Sequence, residues 1–136
     1  MPARAKIAAA ALGVCLGASA CGGPAASLYG VIRSGTIPGA DITLVPSGDG
    51  TVKCDSRSHE LPDPLLINAE NLADAMTEPA TKGERLSSGP RPVYTYVVTT
   101  PSGTFSFSDD TPHLGGTMHK IAAWVYTVTT TVCHRR

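Results

Sequence analysis

The chain has 136 residues and a mass of 14.0 kDa, enough for one small domain. Eleven Lys and Arg balance eleven Asp and Glu, so no positive surplus points to nucleic acid. Hydrophobic residues make up 42%, aromatics only 5%, and there are 14 Gly and 11 Pro; this describes a folded domain with a modest core and long loops, and argues against a multidomain enzyme, a histone-like chain or a collagen-like one.

Residues 1–20 read as a signal peptide. Arg4 and Lys6 make a positive start without an acid, and Ile7 to Leu16 is an Ala-rich apolar stretch shorter than the ~20 residues of a spanning helix. Ala18-Ser19-Ala20-Cys21 fits two cleavage patterns: the A-x-A site of ordinary secretion, and the bacterial lipobox, which it resembles with Ala18 where Leu is usual. Cysteine arithmetic favours the second. Cleavage removes Cys15 and leaves Cys21, Cys54 and Cys133. In an oxidising compartment Cys54 and Cys133 are the pair available within the folded body, and a lipid on Cys21 accounts for the odd thiol. The expectation is a chain lipidated at Cys21, residues 21–28 serving as a flexible tether, on the extracytoplasmic face of the cell membrane. Removing Arg4 and Lys6 leaves nine basic and eleven acidic side chains, a balance that does not favour adsorption to an anionic surface.

Residues 29–136 read as a single α+β domain. Leu28 to Arg33 is a short apolar run ended by Ser34-Gly35, with a further turn at Pro38-Gly39. Asp41 to Pro46 alternates as a strand, Ser47-Gly48-Asp49-Gly50 is a hairpin turn, and Thr51 to Cys54 returns. Residues 28–55 thus form a meander of two or three strands. Asp63 as N-cap and Pro64 at the first helical position open a helix. Its apolar face is Leu65, Leu66, Ala69, Leu72, Ala73 and Met76, and Pro79 stops it near Glu78. Residues 79–92 have no period and several breakers, so they read as a mobile or contact loop. Val93–Thr100 and Thr104–Ser108 form a hairpin around Pro101-Ser102-Gly103. In the last segment Leu114, Met118, Ile121, Val125, Val128 and Val132 make a helical stripe of five turns, although its β-branched residues and threonines prefer strands. The stripe and Ala122-Ala123-Trp124 weigh for a helix. The fold class that follows is an antiparallel sheet, built from the meander and the later hairpin, with two helices on one face and one disulfide. Closing a loop of roughly 80 residues, the disulfide stabilises it by about 4 kcal/mol.

Few residues offer chemistry. Asp109-Asp110-Thr111-Pro112-His113 is the one dense polar cluster; paired carboxylates suit a hard cation and His113 a softer one. The same run is also a good turn and helix-start signal, which is the favoured reading. His59, His113, His119 and His134 lack H-x3-H or H-E-x-x-H spacing, and no G-x-S-x-G, G-x-G-x-x-G or P-loop is present. Neither a metal nor a cofactor is expected. Tyr94 and Tyr96 share one strand face with Val98, while Val93 and Val97 share the other. If the valine face packs under the helices, the tyrosines form an exposed contact patch; otherwise they line the core edge.

Ala-Ser-Ala-Cys21-Gly-Gly, Val-Lys-Cys54-Asp, Leu61-Pro-Asp-Pro-Leu-Leu and Val132-Cys133 together resemble small uncharacterised lipoproteins of actinobacteria, a likeness that implies location and a disulfide but no activity. A more distant resemblance is to the emfourin group, protein inhibitors of thermolysin-type metalloproteases. It rests on Val31-Ile-Arg-Ser-Gly-Thr-Ile-Pro-Gly39, the first helix, Val93-Tyr-Thr-Tyr-Val-Val, Phe105-Ser-Phe-Ser-Asp109 and Ile121-Ala-Ala-Trp-Val in the same order; Gly35-Thr36 replaces the paired glycines usual in the opening turn. The functional expectation is a membrane-anchored, non-catalytic binding module for an envelope protein or glycan, protease inhibition being its sharpest form. The alternative is a small hydrolytic or metal-dependent enzyme using Asp109, Asp110 and His113. The partners expected are the membrane, through the lipid, and an envelope protein or protease.

Overall fold

The structure is a computed structural model that describes residues 26–135, so the expected signal peptide and Cys21 lie outside the described residues. Within them the chain runs β1 (Gly30–Gly35), β2 (Ile42–Pro46), β3 (Thr51–Cys54), β4 (Arg57–Glu60), α1 (Asp63–Ala75), α2 (Thr77–Lys82), β5 (Tyr94–Thr100), β6 (Gly103–Ser108) and α3 (Gly116–Thr131). One antiparallel sheet has the order β4-β3-β2-β1-β5-β6. The meander and the hairpin are joined through β1, which pairs with both β2 and β5. This is the expected α+β fold, and the Cys54–Cys133 disulfide is formed, with Cα atoms 5.9 Å apart.

Strand alternation fixes the faces. Val31 pairs with Leu44 and Val98, and Val98 with Phe105, so these side chains point the same way. With Val52, Phe107 and Tyr96 they join α1 and α3 in one buried core. The tyrosine face is therefore the covered face. The Tyr96 ring stacks on Phe107 at 4.8 Å between centroids. On α1, Ala69, Leu72 and Met76 are buried; on α3, Met118, Ile121, Val125, Val128 and Val132 are, as the stripe predicts. Burial against a ready-made sheet outweighs the strand preference of the Thr- and Val-rich end of α3. Trp124 donates from Nε1 to the Leu65 carbonyl at 3.0 Å and meets Tyr29 edge to face, which ties α3 to α1 and to the segment before β1.

Three boundaries differ from expectation. Helix α1 starts one residue early: Pro62 is the N-cap, its carbonyl accepts from the Leu65 and Leu66 N–H groups, and Asp63 lies inside the first turn. Strand β4 is an additional strand, made possible by Asp55, which takes a positive φ of 57° in the two-residue turn and accepts the Thr43 N–H on its carboxylate at 2.9 Å. Residues 79–82 are helix rather than loop. Pro79 sits in the first turn of α2, where a missing N–H breaks no bond. Beyond α2, the Ser106 N–H donates to the Glu84 carbonyl and the Leu86 N–H to the Ser106 carbonyl, both at 2.9 Å. Residues 84–86 thus cover the otherwise open edge of β6.

Candidate functional site

Strand directions sort the connections onto two ends of the sheet, five or six residues or about 17–20 Å apart. At one end the chain passes Ala26 and Ser27 beside the β2–β3 turn, where Ser27 bridges Ser47; the β5–β6 turn lies at the same end. At the other end are the β1–β2 loop (36–41), the segment leading into β5 (87–93) and the chain after β6 (109–115).

Two aspartates flagged in the sequence grip this second end from beneath. The Asp110 carboxylate accepts the Gly89 N–H at 3.0 Å, the Arg91 N–H at 2.7 Å and the Ser108 hydroxyl at 2.8 Å. Asp109 accepts the Val93 and Tyr94 N–H groups at 3.0 and 3.2 Å. Partial desolvation pushes the Asp110 carboxyl up, but the Ser108 hydroxyl and the Arg91 and Gly89 amides together outweigh it and hold it below the usual carboxylate range. A methyl group on Gly89 would collide with the Asp110 carbonyl and carboxylate, so only glycine allows this approach.

The β1–β2 loop is gripped by its carbonyls instead. Arg33, only 3% exposed, donates from Nε to the Ala40 carbonyl at 2.8 Å, and its guanidinium lies 4.6 Å from the centre of the Tyr94 ring. Asp41 accepts the Gly35 N–H at 3.2 Å, and the Thr36 N–H donates to the Val93 carbonyl at 3.1 Å, which joins the two loops. Their tips expose Ile37 (45%) and Val93 (37%), with Arg91 between prolines beside them. Pro90 and Pro92 have no N–H, and those of Gly89, Arg91 and Val93 are taken up by the two carboxylates, so residues 89–93 offer a partner carbonyl acceptors and side chains rather than backbone donors.

The remaining predicted residues fall elsewhere. Tyr94 and Tyr96 do not form an exposed patch: Tyr96 is 3% exposed and Tyr94 is half-buried over Arg33, because the faces are set by pairing with Arg33, Ile42 and Phe107 beneath the helices. Burial pushes the Tyr96 hydroxyl up to about 12, with Arg33 opposing. His113 is exposed at a positive φ of 56°, and among the described residues no group of three His, Cys, Asp or Glu is placed to hold a metal ion. A hollow of about 450 Å³ between α1 and α3 has Leu65, Leu72 and Trp124 as its floor and Asn68, Asn71 and Lys120 at its rim, without a carboxylate or histidine for acid–base work. Sequence reasoning missed Arg33, Ile37 and Asp41. The signal available was the Val31, Arg33 alternation, which sends Arg33 to the core face. Compared with known proteins, the chain matches no family model, and no curated protein or solved structure matches it.

Proposed function

We propose that the protein is a lipid-anchored, extracytoplasmic binding module, without catalysis of its own, whose contact surface is the paired tips of loops 36–40 and 87–93. The observation that carries this reading is the double carboxylate grip on loop 87–93. A loop already held in one conformation loses less entropy on docking, so its apolar tips and Arg91 can contribute more of their contact energy to affinity. The position supports it as well: Ala26, the first described residue, lies at one end of the sheet, and the two loops lie at the other.

The sharpest form of the reading is inhibition of a thermolysin-type metalloprotease. A pair of joined loops with exposed apolar side chains suits a cleft, carbonyl acceptors suit a Lewis-acidic metal centre, and the bonds preceding Pro90 and Pro92 lack the N–H that a cleft binds in a substrate. The test is to titrate oxidised residues 22–136 against a thermolysin-family protease and follow substrate cleavage. Stoichiometric loss of activity, relieved by Arg91→Glu or Val93→Asp, supports inhibition. Full activity at a large excess removes the inhibitor and leaves a module for another envelope partner, to be sought by crosslinking at Arg91 in cells.

A further inference from the structure

We propose that Arg33 and the Tyr96 hydroxyl form a carboxylate-binding site between the roots of the two loops, and that its occupant is an aspartate or glutamate side chain of the protein partner. The two residues lie directly opposite each other on β1 and β5, on the helix-covered face of the sheet, which sets their Cβ atoms about 5 Å apart. Each is only 3% exposed. The positive charge of Arg33 opposes the effect of burial on the Tyr96 hydroxyl, so the two polar groups lie within each other's field.

A buried guanidinium is costly unless an anion pairs with it. Here its partners are carbonyls and a ring. Nε donates to the Ala40 carbonyl at 2.8 Å, Nη2 reaches the Gly39 carbonyl at 3.5 Å, and the group lies 4.6 Å from the centre of the Tyr94 ring. Among the described residues Arg33 makes no ion pair. Asp41 and Asp109, on the adjoining segments, are engaged with the Gly35 amide and with the Val93 and Tyr94 amides. Holding two carbonyls needs no charge, since the neutral amide of a glutamine also carries two N–H donors. The charge is the part of Arg33 that the loop does not use.

Two donors are also left over. Arg33 Nη1 and the Tyr96 hydroxyl make no hydrogen bond among the described residues, yet the unbonded side-chain atoms sealed from solvent are Tyr29 Oη and Thr129 Oγ1. Nη1 and the Tyr96 hydroxyl therefore reach the surface, where an incoming acceptor can meet them. One positive charge and two kinds of N–H and O–H donor suit the single charge and paired oxygens of a carboxylate. The flanking loops expose Ile37 and Val93, apolar neighbours that suit the rest of a polypeptide better than a free ion. The source of the carboxylate thus rests on the reading of these loops as a contact surface; the anion site itself does not.

The test is a nuclear magnetic resonance titration of oxidised residues 22–136, which contain every described element, the shared core and the disulfide. The probes are the blocked peptide N-acetyl-Gly-Asp-Gly-amide, its Asn counterpart, and inorganic phosphate, and the signal followed is the Arg33 Nε–H. The expected result is saturation by the Asp peptide with a Kd in the millimolar range, and none by the Asn peptide up to about 100 mM. Tyr96→Phe keeps the ring that stacks on Phe107 and should weaken binding by about tenfold, with exchange at the Thr36 and Ala40 amides unchanged. Arg33→Met should abolish binding; if circular dichroism shows that this variant does not fold, Tyr96→Phe decides alone. No saturation by the Asp peptide, or equal binding by Tyr96→Phe, overturns the site. Phosphate binding as tightly as the Asp peptide overturns the carboxylate assignment. The two readings fail separately: peptide binding without protease inhibition keeps the site and removes the inhibitor, whereas inhibition without peptide binding keeps the loops and removes the site.

Discussion

The two ends of the sheet solve the same problem, backbone groups left over where strands turn, in opposite ways. At the Ala26 end the side-chain solutions are local. Asp49 accepts the Thr51 N–H and hydroxyl two residues on, and the Thr100 hydroxyl accepts the Ser102 N–H two residues on. At the loop end they are distant. Asp110 reaches back 21 and 19 residues to Gly89 and Arg91, Asp109 reaches 16 and 15 to Val93 and Tyr94, and Asp55 reaches 12 to Thr43. Local bonds make a turn; distant ones weld separate segments into one surface. The comparison teaches that the long loop is long in sequence only. Its length spans from α2 to β5, and its backbone is held at the β6 edge and again at the two aspartates.

The comparison can be broken most severely at the disulfide, which holds the end of α3 to β3 at the loop end. Reduction, or Cys54→Ala with Cys133→Ala, reopens a sequence separation of 79 residues and should cost about 4 kcal/mol, read from urea unfolding with and without reductant. Next come the glycines. Gly35→Ala drives a methyl into the Val93 carbonyl and Ala40, and Gly89→Ala drives one into Asp110; each should cost about 1–3 kcal/mol in thermal or urea unfolding. Gly48→Ala, at the Ala26 end, meets nothing and should stay within about 0.5 kcal/mol.

A smaller effect should appear in acid. Asp110 has its pKa held low in the folded chain, so its contribution is fully present above the ordinary carboxylate value of about 3.9 and is lost as pH falls through the lower folded value. Nuclear magnetic resonance below about pH 4 should therefore show the Gly89 and Arg91 amides shifting while β1 and β5 remain paired. Loss of the strands first would contradict the assignment.

The same contrast marks what the sequence reveals. The Ser47-Gly48-Asp49-Gly50 turn is legible because its causes lie within four residues: Gly50 adopts a φ of +87° and Asp49 bonds its neighbour. The α1 and α3 stripes are legible because their period encodes the buried face, and the disulfide because the body holds one pair of cysteines. The candidate site is not legible in this way. Asp109 and Asp110 stand out as a polar cluster, but their partners are amides at 89–94, and backbone amides look the same in every sequence. The burial of Arg33 depends on Ala40 and Tyr94 meeting it across two strands. The choice between the tyrosine and valine faces needs the register with β1 and β6, which alternation within β5 alone does not contain.

The most direct measurement is amide hydrogen exchange on oxidised residues 22–136, comparing the unaltered chain with Asp110→Asn and Asp49→Asn. The account predicts protected Gly89 and Arg91 amides in the unaltered chain. That protection should fall by about tenfold or more in Asp110→Asn, while Asp49→Asn exposes Thr51 alone. Rapid exchange at Gly89 and Arg91 in the unaltered chain, or protection that survives Asp110→Asn, would contradict a loop held ready by distant carboxylates.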